Sequence, residues 1–167
     1  MSVIAQILIV FGIIALVSSK VRTSGPAKFF GMYGAWIAFV TAFLATAGSL
    51  IYSDVIGYEP CKLCWFQRIF MYPQAILLGL AIWKRDASMR MYTIVLSMLG
   101  AIVALYHFVS QIGWNPLDLE CASIGYAVSC AKLFVMEFGY ITIPIMALSA
   151  FSLIIVSLLL NKPWPMR

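Results

Sequence analysis

The segment Glu59–Pro73, EPCKLCWFQRIFMYP, starts as a polar turn and runs into an apolar stretch, with a C-x-x-C pair and an arginine at the transition. Pro60 suits the first turn of a helix, which sets the helix start at or near Cys61. Both sulfurs then stand at a helix N-terminus, where the backbone dipole favours a thiolate. Arg68 follows Cys64 by four residues, so the two share a helical face, with the arginine about 6 Å deeper. An arginine inside an apolar span costs roughly 2.5–3.5 kcal/mol on insertion scales, and such residues usually face a functional interior. Arg68 either snorkels to the headgroups, which its shallow depth permits, or stabilises negative charge beside Cys64. That charge would sit on the thiolate itself or on the oxygen of an electron acceptor.

Outward from this segment the chain reads as an integral membrane protein. Its 167 residues are 63% hydrophobic and only 10% charged, with a mean hydropathy of +1.00. A soluble domain of this size needs far more charged surface. A helix needs roughly 20 apolar residues to cross a hydrocarbon core of about 30 Å. The stretches that qualify are Val3–Ser19, Tyr33–Tyr52, Cys64–Trp83, Met91–Gly113 and Phe138–Leu160. None shows strand-like alternation, so the fold class is all-α rather than a barrel. No run repeats another, and the connections are too short for a second domain.

The formal net charge is +5, but the basic residues form no nucleic-acid patch. Lys20, Arg22 and Lys28 follow the first span, Lys84, Arg85 and Arg90 join the third to the fourth, and Lys162 and Arg167 lie in the tail. Asp54 and Glu59 occupy one intervening connection, Asp118 and Glu120 the other. The positive-inside rule makes the first set cytoplasmic and the second exoplasmic, with the N-terminus outside and the C-terminus inside. Every cysteine then falls on the exoplasmic side or at its edge. Met1–Gln6 lacks the basic residue of a secretory signal, so the first span reads as an anchor.

The four cysteines are Cys61, Cys64, Cys121 and Cys130. In an oxidising compartment they fit two structural disulfides, or one that links the two loops. A zinc site is disfavoured because C-x8-C is a poor second half, and no metal is expected. Trp65 stands where covalent haem attachment needs histidine. A C-x-x-C disulfide closes a very short loop and constrains little, which makes Cys61–Cys64 a poor staple and a plausible redox centre. His107, the only histidine, lies near the exoplasmic end of the fourth span, at the depth expected for Arg68. It is an interfacial hydrogen-bonding residue or part of a pocket shared with Arg68. Trp65, Phe66, Phe70, Tyr106, Phe108 and Trp114 read as interfacial and packing residues. Pro73 and Pro144 interrupt spans and are expected to kink them. Ala45, Gly48, Gly79, Gly100 and Ala104 would let helices approach closely.

EPCKLCWFQRIFMYP resembles the disulfide bond formation protein B family, especially its shorter BdbC-like branch. So does the order of features: C-x-x-C heading one span, a histidine ending the next, a cysteine pair in the following loop, and the closing YITIPIMALSAF of Tyr140–Phe151. The resemblance covers roughly Tyr33 to Leu160. It implies a four-helix membrane oxidoreductase at residues 32–162, preceded by an additional transmembrane helix and basic segment at 1–31 and followed by a tail at 163–167. Such a protein reoxidises a thioredoxin-fold, DsbA-like dithiol oxidase and passes electrons to a membrane quinone, ubiquinone or menaquinone. It thereby supports disulfide formation in exported proteins from the bacterial cell membrane. By position, Cys61 and Cys64 match the quinone-proximal pair, with Cys64 the thiolate that meets the quinone and Arg68 the quinone-site arginine. Cys121 would form the mixed disulfide with the partner, Cys130 would exchange with Cys61, and His107 aligns with a histidine near the quinone ring. This chain departs from the pattern in its extra first span, in Gln67 where longer members carry an acid, and in its short C-x8-C loop.

Two other functions fit part of the sequence. A vitamin K epoxide reductase-like protein shares the thiol–quinone logic, but its loop cysteines precede the C-x-x-C pair. A non-catalytic membrane protein with two structural disulfides leaves the arginine below Cys64 without a purpose.

Overall fold

The computed structural model describes residues 2–17, 25–57, 60–86, 88–113 and 142–161. They form five α-helices: α1 (Ser2–Val17), α2 (Gly25–Leu50), α3 (Lys62–Lys84), α4 (Met89–Gln111) and α5 (Ile143–Leu160). No strand occurs among the described residues. The segments Lys28–Val55, Met89–Gln111 and Ile143–Leu160 are helical, long and apolar enough to cross a membrane. At 16 residues α1 is shorter than a full span, and α3 carries Gln67, Arg68 and Gln74 in its apolar run.

α1, α3 and α4 lie close to the expected spans, whereas α2 begins at Gly25 instead of Tyr33 and takes in Lys28, which was expected in the basic connection. α2 does not stop cleanly; it widens into a π-helical turn over Ile51–Val55 before Gly57, whose φ of 79° ends the helical path. Cys61 is the N-cap of α3, in extended conformation. Pro60 therefore precedes the cap instead of occupying the first turn. Pro73 does lie inside α3. Pro144 interrupts nothing: it sits in the first turn of α5, where its missing N–H would have no intrahelical partner anyway. Residues 138–141, expected to open the last span, lie outside the described residues.

α2 packs on α3, α3 on α4, α4 on α5, and α5 back on α2, closing a ring of four helices; α1 lies outside the ring against α5. Small residues allow the close approaches. A Cβ at Gly100 would fall into the ring of Phe151, and one at Gly79 would press on Phe39 at 3.2 Å. Ala104 is fully buried. Gly48 has nothing within 4 Å of where its Cβ would stand, so it serves no such contact. Gly12 and Gly34, which no pattern in the sequence singled out, lie against Val156 and the backbone of Ser157 on α5.

Burial is arranged as a bilayer solvent requires. Large apolar side chains such as Met32, Phe43, Ile69, Ile76, Trp83, Met98 and Ile102 face outward, whereas Gln67, Gln74, Thr93, Ser97, His107 and Ser157 are buried. Polar groups hidden from lipid need internal partners. Pro73 deprives the carbonyl of Ile69 of its helical N–H. One residue on, the Gln74 amide donates to Phe70 O at 2.9 Å and accepts from Ser97 Oγ at 2.8 Å, tying α3 to α4.

The two ends of the ring differ. At one end Arg85 takes a left-handed conformation (φ 52°, ψ 40°) and caps α3 through Ala81 O. Asp86 Oδ1 accepts from Ser88 N at 2.8 Å, and the Arg90 guanidinium donates to Leu159 O and Asn161 O. This end collects Lys84, Arg85 and Arg90 with the C-termini of α3 and α5. The opposite end brings together the last turns of α2 and α4 and the first turns of α3 and α5.

Candidate thiol site at one end of the bundle

At that second end, Cys61 caps α3 with its own side chain, its sulfur accepting from Cys64 N at 3.4 Å. A cysteine cap gives one of the orphan N–H groups of the first turn an acceptor. It also turns the Cys61 sulfur over the helix end toward Cys64, and the two Sγ atoms lie 2.8 Å apart. The pair is separate thiols here, with the two sulfurs side by side. Cys61 is buried (2% exposed), whereas Cys64 is half-buried, so an oxidant that approaches from outside reaches Cys64 first.

His107, in the last turns of α4, is 2% exposed and lies between the thiols and a glutamine. Its Nε2 is 3.7 Å from Cys61 Sγ, and its Nδ1 accepts from Gln67 Nε2 at 3.0 Å. Leu63, Val103 and Tyr106 pack around the cysteines and close the α3–α4 seam. The Cys61 thiol, at the cap outside the span, is held below the ordinary thiol range. The hydrogen bond from the Cys64 thiol is the largest cause; burial opposes it, and the contact and charge of His107 reinforce it.

Arg68 does not share the His107 cluster. Its Nε donates to Ser49 Oγ at 3.0 Å and its Nη2 to Ser49 O at 3.1 Å, both at the end of α2 just before the π-helical turn. Its guanidinium lies 5.4 Å from the centre of the Trp65 ring, a cation–π distance. Half-buried and hydrogen-bonded within the protein, the side chain is held by α2 instead of reaching to headgroups. One residue apart on α3, Gln67 and Arg68 thus serve two neighbours: Gln67 faces α4, and Arg68 faces α2.

The structure brings Cys61, Cys64 and His107 into one cluster, with Arg68 on the adjoining face one turn deeper than Cys64. Cys121 and Cys130 lie outside the described residues. Two contributors were not read as site residues in the sequence, Gln67 and Ser49. A neutral amide in an apolar run beside a cysteine pair was a usable signal for Gln67. Nothing local marks Ser49, because its partner lies on another helix. The donors of Cys61, Cys64 and His107 all lie within 4.8 Å of one another, a thiol–imidazole set suited to thiol–disulfide chemistry and, by donor type, to a soft cation.

Comparison with known proteins points the same way. The family model described as "Disulfide bond formation protein DsbB" matches residues 31–161. The chain is 38% identical to "Probable disulfide formation protein C 1" of Bacillus anthracis over 121 residues, covering 71% of this chain and 84% of that protein. It is 37% identical to "Disulfide bond formation protein C" of Bacillus subtilis (strain 168) over 133 residues, 78% of this chain and 91% of that one. It is 43% identical to "Probable disulfide formation protein" of Oceanobacillus iheyensis over 120 residues, 72% and 82% of the two chains. No solved structure matches. The matched region begins within α2 and leaves out α1, as the ring of four helices does. A C-x-x-C pair capping one helix of an apolar bundle thus sits inside a match that spans most of the sequence, and the chain belongs to the disulfide bond formation protein DsbB family.

Proposed function

We propose that this protein is a thiol:quinone oxidoreductase that reoxidises a thioredoxin-fold, DsbA-like dithiol oxidase and passes the electrons to a membrane quinone. Family membership supports membrane disulfide-bond formation as the broad activity. The observation that carries the finer reading is the pair of sulfurs 2.8 Å apart at a helix N-terminus, with the Arg68 cation one turn below.

In this reading the partner's thiolate attacks a Cys121–Cys130 disulfide, and exchange through Cys130 and Cys61 moves the reducing equivalents to Cys61–Cys64. Cys64, the more accessible sulfur, delivers them. The donor set suits a quinone: Arg68 is a fixed hydrogen-bond donor and cation beside Cys64, held in place by Ser49 and Trp65. A bound quinone supplies the two-electron acceptor. The protein's residues position it, stabilise oxygen charge and keep water from the thiols. The four helices of the ring span the membrane in this account, and α1, extended beyond its 16 described residues, is an additional span. The thiol end is exoplasmic, the N-terminus outside and the C-terminus cytoplasmic.

The order of the cysteines, C-x-x-C before the loop pair, and the family match leave no specific support for a vitamin K epoxide reductase-like protein. The test is steady-state turnover of detergent-solubilised protein with a reduced thioredoxin-fold dithiol and a soluble quinone. Cys64→Ser and Cys121→Ser are expected to abolish quinone reduction, and Arg68→Ala to raise the quinone KM. Absence of turnover in the wild type with ubiquinone and menaquinone analogues alike would favour structural disulfides instead.

A further inference from the structure

Resting on the thiol–quinone reading above, we infer that His107 acts on Cys61 and not on the quinone: it takes the Cys61 thiol proton as the Cys61–Cys64 disulfide closes, with Gln67 as its positioning residue. The resemblance implied a histidine near the quinone ring. The geometry points elsewhere. His107 Nε2 faces Cys61 Sγ at 3.7 Å, while the arginine assigned to the quinone turns to the other side of α3 and bonds Ser49.

The chemistry of closure gives the histidine its task. Oxidation of the pair forms one S–S bond and removes two electrons and two protons from two thiols; a quinone that accepts them becomes a hydroquinone. Cys61 is buried, so its proton has no direct route to water. Cys64 takes up the oxidant first; as Cys61 attacks the Cys64 sulfur, the S–S bond forms, the bond from Cys64 to the oxidant breaks, and the electron pair leaves with the reduced oxidant. Cys61 must lose its S–H proton for this attack, and among the described residues the His107 imidazole is the base within reach. On re-reduction the same proton returns to Cys61 when the incoming loop thiolate is released from it.

Gln67 fits this two-way role better than an acid would. With its Nε2 donating to Nδ1, as observed, the ring proton sits on Nε2 and faces sulfur, the arrangement that donates. Turned over, the amide presents Oε1 to an Nδ1–H and leaves the Nε2 lone pair facing sulfur, the arrangement that accepts. A carboxylate supports only the second arrangement and would favour the imidazolium. Among the described residues, these are the ionisable groups that the helices packed around His107 bring near it. Cys61, Cys64 and, one face away, Arg68 come from α3, and Tyr106 is its neighbour on α4. Ile143–Leu160 of α5 contains no titratable side chain.

The test separates thiol chemistry from quinone binding by using two oxidants on the fully reduced protein: a soluble quinone, and a small aromatic disulfide that needs no quinone site. Single-turnover closure of Cys61–Cys64 is followed against pH for wild type, His107→Ala, His107→Gln, Gln67→Leu and Gln67→Glu. His107→Ala and His107→Gln are expected to slow closure about 100-fold near neutral pH with both oxidants, with quinone KM unchanged. Gln67→Leu gives a smaller loss of the same kind, and Gln67→Glu moves the acid limb of the profile to higher pH. The inference is overturned if the His107 variants close at wild-type rates with the aromatic disulfide and are impaired only through quinone KM. It is equally overturned if Gln67→Glu leaves the profile in place. Wild-type protein that closes with the aromatic disulfide but never with quinone would sink the quinone reading while leaving the role of His107 on Cys61 to be read from the first oxidant.

Discussion

Arg68 meets Ser49 through two nitrogens, and this bidentate hold decides where its charge points. The hydroxyl and the carbonyl of one residue fix both the Nε edge and one terminal nitrogen, and the Trp65 ring covers a face of the guanidinium. A fixed cation is worth more to a developing oxygen charge than a mobile one, because no reorganisation accompanies the reaction. Ser49→Ala removes one of the two contacts and lets the side chain swing. Hydrogen bonds to charged groups contribute about 1.5–3 kcal/mol, so the quinone KM is expected to rise about tenfold while kcat changes little, as read from initial rates over a range of quinone concentrations. An unchanged KM would mean that Ser49 only packs against the arginine. The C-x-x-C pair and Arg68 were legible in the sequence because spacings of three and four along one helix fix which side chains are neighbours. Ser49–Arg68 and Gln67–His107 were not, because each joins residues on different helices and no local periodicity encodes which helix faces which.

At the scale of the helices, hydropathy located all five as helices, and Lys28–Val55, Met89–Gln111 and Ile143–Leu160 have the length and apolar content that a bilayer selects. The ends were harder. The π-helical turn over Ile51–Val55 follows a run that reads as uninterrupted helix, and Pro144 reads as a kink until the helix start at Ile143 is known. Glycine shows the same limit. Gly100, Gly79, Gly34 and Gly12 mark close approaches, and Gly48 does not; a glycine in a span carries no record of what lies opposite. Gly100 gives the sharpest test of this packing, because a Cβ there would overlap the buried Phe151 ring on α5. Overpacking of this kind costs typically 1–3 kcal/mol. Gly100→Val is expected to lower the melting temperature in detergent, and Gly48→Ala to leave it within error. Equal effects of the two would contradict the packing of α4 against α5.

For the whole molecule, the ring of α2–α5 has one cationic end and one thiol end. This polarity was legible in the residue pattern, with Lys84, Arg85 and Arg90 at one end and Cys61, Cys64 and His107 at the other. The ring closure itself is a tertiary fact, set by which apolar faces fit, and among the described residues α1 packs mainly against the outside of α5. Its position outside both the ring and the family match explains why no residue of α1 entered the site. The central claim is that electrons leave this bundle through Cys61 and Cys64 to a quinone. The most direct measurement is an anaerobic single turnover: the protein is fully reduced, freed of reductant and mixed with one equivalent of soluble quinone. Hydroquinone is then read by absorbance, and the lost thiols are located by alkylation and peptide mapping. The account predicts one hydroquinone for each pair of thiols lost, with a Cys61–Cys64 disulfide formed. Hydroquinone that fails to appear, with Cys61 and Cys64 still alkylated as thiols, would contradict it.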